Sequence, residues 1–209
     1  MTVKILDNHF LLLPDRAVFW QEQSMLILSD THFGKVTHFR KSGIAIPTGS
    51  FYADIDRLDR LVAIYHPVSL MIVGDMFHSV YNHEIAHFAS WRDRYRGLEI
   101  YLAKGNHDIL AADIYHSLNI KVGRTYTFGD IAFSHDLCAD ISCFCFNGHI
   151  HPGIRIVSNA RQQLKFSCFH FSGMNCTLPA FSLFTGLSII SPLPDDKVYM
   201  IVDDEVIPV

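Results

Sequence analysis

The 209-residue sequence has no long uncharged apolar run near its start: the longest, Phe10 to Leu13, is too short for a signal-peptide core and far too short to span a bilayer. The chain is therefore expected to be soluble, with no membrane partner, and to stay in the cytoplasm. Paired cysteines are missing too. Cys138, Cys143, Cys145, Cys168 and Cys176 form an odd set without a C-x-x-C pair, which argues against a zinc ribbon and for reduced, buried thiols. There is no excess of basic charge: 17 Lys plus Arg against 21 Asp plus Glu leave a net charge of −4. No global basic field draws the chain to nucleic acid, and any such contact has to be local. Charge runs, Pro/Ser-rich tracts and internal repeats are also absent. With 49% apolar and 18% charged residues, the simplest organisation is one compact domain over residues 1–209, without disordered tracts.

What the chain has in quantity is histidine, 13 in all. Short apolar runs at Ala17–Trp20, Met25–Leu28, Leu70–Val73, Glu99–Leu102, Ile131–Phe133, Ile154–Val157 and Val198–Val202 read as strands. Between Ser50 and Tyr65 the apolar residues Ile55, Leu58, Leu61, Val62 and Tyr65 recur at helical spacing until Pro67 ends the pattern. Asn82–Arg94 and Ile109–Leu118 are the next helix candidates. The first half thus alternates strands and helices, whereas from Lys121 onward closer strands and turns such as Phe128-Gly129-Asp130 predict mainly antiparallel pairing. The class is α/β, a sandwich of mixed sheets with helices outside.

Five segments set metal-capable side chains at the ends of apolar runs: Asp30-Thr31-His32, Gly74-Asp75, Gly105-Asn106-His107-Asp108, His135, and Gly148-His149-Ile150-His151. Singly, each has an ordinary explanation, such as a glycine turn, a helix-capping aspartate or a hydrogen-bonded histidine. Together they read as a two-metal site where buried strands give way to loops. Carboxylate, imidazole and amide suit Mn²⁺, Fe²⁺ or Zn²⁺, and a bridging carboxylate can hold two ions about 3.5–4 Å apart. Such a pair acidifies a shared water, whose hydroxide can attack phosphorus in line.

Other features compete. His83-Glu84-Ile85-Ala86-His87 matches the H-E-x-x-H zinc motif of metalloproteases, but it leaves the five segments unexplained and reads more simply as the outer face of a helix. His78 is a candidate for fixing a ligand from behind. Lys35, His38, Arg40 and Lys41 form the densest basic patch, a loop able to hold a phosphodiester backbone or simply to be solvated. Arg124, Arg155, Arg161 and Lys165 are scattered, and His170 has no motif around it.

The order D-x-H, G-D, G-N-H-D, lone H and G-H-x-H resembles the calcineurin-like metallophosphoesterase family. The resemblance implies a four-layer α-β-β-α sandwich and two divalent ions, with Mn²⁺ first and Fe²⁺ or Zn²⁺ as alternatives. Carried over residue by residue, it implies that Asp30, His32 and His151 hold one ion, that Asn106, His135 and His149 hold the other, and that Asp75 bridges them. His107 is then free to protonate the leaving oxygen, and Asp108 could orient its ring. Ser29-Asp30-Thr31-His32-Phe33-Gly34-Lys35, Gly74-Asp75-Met76-Phe77-His78-Ser79 and Cys176-Thr177-Leu178-Pro179-Ala180-Phe181-Ser182 look like the bacterial ligase-associated DNA damage response group within that family. That narrower resemblance implies a manganese-dependent DNA phosphodiesterase or endonuclease working beside a DNA ligase and helicase. The chain departs from the group at Phe184-Thr185-Gly186-Leu187, where a second glycine is more usual, and in its acidic charge. A phosphomonoesterase or nucleotide phosphodiesterase with the same centre is the nearest alternative, and a non-catalytic scaffold the more distant one.

Overall fold

The computed structural model describes residues 1–41, 43, 49–78, 82–138, 142–157 and 163–209; the side chains of His38 and Lys41, and the candidates Ser79 and Arg161, lie outside that description. The first sheet contains Thr2–Ile5 (β1), Asn8–Leu13 (β2), Ala17–Trp20 (β3), Met25–Ser29 (β4), Ser69–Val73 (β5), Glu99–Ala103 (β6) and Ile120–Gly123 (β7), hydrogen-bonded in that order. β1 to β4 form an antiparallel meander, and β4 to β7 run parallel. The helices are Lys35–Lys41 (α1), Gly49–Tyr65 (α2), His83–Arg94 (α3) and Ala112–Ser117 (α4). Among the described residues no helix is long and apolar enough to cross a membrane.

The second sheet contains Thr125–Phe128 (β8), Ile131–Ser134 (β9), Phe144–Asn147 (β10), Pro152–Val157 (β11), Gln163–Ser172 (β12), Asn175–Thr177 (β13), Ser188–Ile189 (β14), Lys197–Val202 (β15) and Glu205–Pro208 (β16). Five of its eight strand pairings are antiparallel, so this half is mainly antiparallel as expected, but its centre is parallel. β10 lies parallel to both β9 and β13, and antiparallel pairing is confined to the flanks β8–β9, β11–β12–β13 and β12–β15–β16.

Alternation along the first sheet explains how the layers stack. Leu26, Leu28, Leu70, Ile72, Ile100 and Leu102 face one apolar cluster with helix residues Ile55, Leu58, Phe88 and Trp91. Met25, Ile27, Met71 and Val73 face a second cluster with Phe133, Phe146 and Phe169 of the other sheet. The period-two side-chain pattern thus places β4 and β5 between two cores, so both faces are apolar. The two-sheet sandwich with flanking helices is as expected, and among the described residues all four helices contribute to the first cluster.

α2 forms where the periodicity places it, with Ile55, Leu58, Leu61 and Val62 buried; each such side chain contributes roughly 1.5–3 kcal/mol. α3 starts at Asn82, whose side-chain oxygen accepts the Glu84 and Ile85 N–H groups. The expected helix Ile109–Leu118 shortens to α4. The basic loop at 35–41 is instead helical: α1 is capped by Glu84, whose carboxylate accepts the Gly34 and Thr37 N–H groups at 2.8 and 2.5 Å and the Thr37 hydroxyl. Negative charge at a helix N-terminus is favourable. Glu84 is therefore buried against α1, which corrects its assignment to an outer face, while His83 and His87 are exposed. All five cysteines are free; Cys145, Cys168 and Cys176 are buried as expected, but Cys138 and Cys143 are only partly so.

Candidate metal centre

The five segments come together at the carboxyl ends of five strands. Asp30 follows β4, Gly74-Asp75 follows β5, residues 105–108 follow β6, His135 follows β9 and His149 follows β10. The β4–β5 pairing continues past the strand ends: the N–H groups of Asp30, His32 and Phe33 donate to the carbonyls of Gly74, Asp75 and Met76 at 3.1, 2.9 and 2.9 Å. Two loops become one frame.

The backbone there is unusual. Asp30, His32, Asp75, His149 and His151 all have positive φ, between 47° and 70°. Residues with a Cβ are uncommon in this region, at a cost of roughly 1–2 kcal/mol each. Such strain persists only where surrounding structure holds it, and it gathers at functional sites. Gly74, at φ 77°, turns where an added Cβ would stand 1.9 Å from the His135 ring, and a Cβ on Gly105 would stand 2.2 Å from Asp75 Oδ1. These glycines let the ligand side chains pack directly against backbone.

Asp30, His32 and His151 can present ligand atoms within 4.8 Å of one another, as can Asp30, Asp75 and His135. His151 Nε2 lies 3.4 Å from Asp30 Oδ1, His135 Nε2 lies 3.5 Å from Asp75 Oδ1, and His149 Nδ1 lies 3.1 Å from His135 Nε2. Asn106, more exposed, borders a cavity with His135. Asp30 is wholly buried and Asp75 is 3% exposed, yet among the described residues no Lys or Arg forms an ion pair with either. A buried carboxylate without a cation is costly. His32 shows the complementary need: both ring nitrogens are buried without a hydrogen-bond partner. Burial, then Lys35, then the neighbouring imidazoles push its pKa down to about 2, so the ring is neutral with a lone pair to donate. Unpaired buried carboxylates beside unpartnered imidazoles fit divalent cations.

His107 is exposed and belongs to none of the ligand sets among the described residues. Its ring stacks on His78 at 4.5 Å and meets His32 edge-on at 5.5 Å, while its backbone N–H donates to Asp75 Oδ1 at 2.9 Å. His78 is thus brought to the centre, with its ring also 5.3 Å from that of His32. Asp108 differs from its expected task. Its two oxygens accept the Phe77 and Gly105 N–H groups at 3.0 and 2.9 Å, so it ties the β5 and β6 loops together rather than orienting the His107 ring. Burial, opposed by these N–H donors, raises its pKa to about 6. Lys35 is half-buried, and burial lowers its pKa against the pull of Asp30 and Asp75; Arg40 is exposed on the last turn of α1.

Sequence reasoning missed Asp136, whose carboxylate joins His135 and His149 in a third set of ligand atoms within 4.8 Å. The signal was a carboxylate directly after the lone histidine. It also missed the purpose of Leu178 to Ser182. The Phe181 and Ser182 N–H groups donate to the carbonyls of Ser29 and Asp30 at 2.8 and 3.3 Å, and the Ser29 hydroxyl donates to Pro179 O at 3.2 Å. This strap braces the backbone of Asp30 from behind. Arg16 and Arg57 hold it in turn through the carbonyls of Ser182 and Phe181, while Asp54 accepts the Leu183 N–H at 3.2 Å.

No curated protein matches the chain in sequence. Among solved structures it is similar to the nuclease MPE of Pseudomonas putida, with a TM-score of 0.85 and 30% identity, covering 100% of this chain and 99% of that one. The E. coli phosphoesterase Yfce superposes at a TM-score of 0.48 with 13% identity, over 88% of this chain and 96% of that one. The family model for calcineurin-like phosphoesterases matches residues 24–181, a span that contains all five segments and most of the strap. The protein belongs to the calcineurin-like phosphoesterase family and is a metal-dependent phosphoesterase.

Proposed function

We propose that this centre hydrolyses phosphodiesters in DNA. The observation that carries the reading is the convergence of Asp30, His32 and His151 with Asp75, His135 and His149 around unpaired buried carboxylates. Asp30, His32 and His151 would hold one divalent ion and Asn106, His135 and His149 a second, with Asp75 shared between the two sets. When bound, two such ions neutralise charge on the phosphoryl oxygens and acidify a water for attack. His107, held against His78 and outside the ligand sets, gives the proton to the leaving oxygen. His78 positions that ring. Lys35, beside Asp30 and Asp75, attracts the phosphoryl group.

DNA is favoured by the likeness to a nuclease along the whole chain, together with the segment Leu178 to Ser182. On that reading Mn²⁺ is the resident metal, and the enzyme works in DNA repair in the cytoplasm, in functional association with a ligase and a helicase. The test is hydrolysis of bis-p-nitrophenyl phosphate against the monoester with added Mn²⁺. The diester should be preferred; a preference for the monoester would make the protein a phosphomonoesterase, and activity on neither would make it a scaffold. His107→Ala should cut turnover about 10²–10⁴-fold while metal content stays at the wild-type level. Equal loss of both would make His107 a ligand.

A further inference from the structure

We propose that Lys104 and Arg124 form a second phosphate site beside the metals, seating a neighbouring, non-scissile phosphate of an oligonucleotide strand. The proposal rests on the phosphodiesterase reading and adds the substrate class: a strand with several phosphates rather than a single isolated diester. A cavity of about 500 Å³ opens next to the centre, lined by Asn106 and His135 and by Lys104 and Arg124. Its volume falls within the roughly 300–1,000 Å³ of small-ligand sites.

Strand register places the two cations. Ala103 of β6 pairs with Gly123 of β7 in parallel, so Lys104 and Arg124 leave adjacent strands side by side. The Lys104 N–H donates to Gly123 O at 2.8 Å, which keeps the two exits together. They stand on the same carboxyl edge that supplies Asp30, Asp75 and Asn106. Both side chains are exposed, and neither is in an ion pair among the described residues. Asp136 also borders the cavity, but it lies with His135 and His149 on the metal side. Lys104 also lines a neighbouring, more apolar cavity, whereas Arg124 lines the one beside the centre.

The chemistry favours phosphate. Arg presents a planar fork of N–H donors that matches two phosphate oxygens, and Lys adds a point charge. A monoester carries one phosphate, which the metals take, so an adjoining cationic wall serves only a substrate with another. In a chain of net charge −4, these two side chains add basic charge to the edge of a centre where Lys35 already lies beside Asp30 and Asp75.

The experiment compares a single-stranded 12-nucleotide oligothymidylate with bis-p-nitrophenyl phosphate in Mn²⁺-loaded protein. The double variant Lys104→Ala/Arg124→Ala should lower kcat/KM on the oligonucleotide at least tenfold more than on the small diester, mainly through KM. The slope of log affinity against log salt should fall by about 1.4, two cations at roughly 0.7 each for a single strand. The charge-preserving pair Lys104→Arg/Arg124→Lys should recover most of the loss, which a folding defect would not allow. Equal losses on both substrates, or an unchanged KM and salt slope, would overturn the proposal. Anisotropy with labelled oligothymidylate on the Asp75→Asn background tests the subsite apart from turnover: loss of binding in the double variant supports it even if wild type fails on every diester, a result that would sink only the phosphodiesterase reading.

Discussion

The parallel centre of the molecule and its antiparallel flanks divide the work. Every candidate ligand follows a strand with a parallel neighbour: β4, β5 and β6 in one sheet, β9 and β10 in the other. The hairpins β1–β2 and β15–β16 supply none. Parallel strands end on the same side, so their carboxyl-terminal loops share one small volume, whereas an antiparallel hairpin sends alternate ends to opposite edges. Strain divides in the same way. Five residues of the centre have positive φ, while positive-φ residues in the flanks, such as Leu6 and Asp203, sit singly in turns.

The contrast breaks most sharply at the bridging carboxylate. Asp75→Asn should lower turnover of bis-p-nitrophenyl phosphate about 10³-fold, equivalent to about 4 kcal/mol of barrier; surviving activity would place the chemistry elsewhere. Next comes the brace behind Asp30. Arg57 and Asp54 form a pair 3.1 Å apart with both side chains buried. Burial lowers the Arg57 pKa to about 10 and raises that of Asp54 despite their attraction. Arg57→Ala would strand the carboxylate and should cost about 3–5 kcal/mol in denaturant unfolding. Arg57→Met with Asp54→Asn should recover part of it, and equal costs would show that the charges are not coupled.

A smaller effect is expected at Gly105→Ala, whose Cβ meets Asp75 Oδ1 at 2.2 Å. The same Cβ would stand 2.5 Å from the Asp75 backbone nitrogen, so loop and ligand must move together by about 1 Å; kcat should fall about 100-fold, with a loss of unfolding stability beside it. Wild-type kcat would show that the centre tolerates movement. The flank should respond least. Ser172, His170 and the Leu193 N–H hold the Asp196 pKa down at about 2. Because the folded value lies below the unfolded one, this stabilisation is complete above about pH 4 and fades as pH falls toward 2. Asp196→Asn should therefore cost under about 1 kcal/mol at pH 7, less at pH 2.5, and leave kcat unaltered. A large kcat loss would join flank and centre.

Much of the centre was legible because ligand chemistry is local in sequence: each segment carries its side chains within four residues, and three of the five begin with a glycine. The long helices were legible for a similar reason, since α2 shows its period over four turns. Short strands were harder. β1, β2 and β10, of four to six residues, escaped, and so did the longer β12. Asp108 was misread because its partners, Phe77 N–H and Gly105 N–H, are backbone groups that no motif displays.

By itself the sequence determined most of the metal-capable side chains, the ends of β4, β5, β6 and β9 that they follow, and the longer helices α2 and α3, because residue type and hydrophobic period are properties of short segments. Tertiary structure alone decided what those segments touch. A glutamate some fifty residues away turns the basic loop into α1, and a strap about 150 residues downstream braces Asp30. Lys104 and Arg124 meet because two parallel strands pair in one register. Such contacts depend on how sheets align in space, and chain separation carries no record of it.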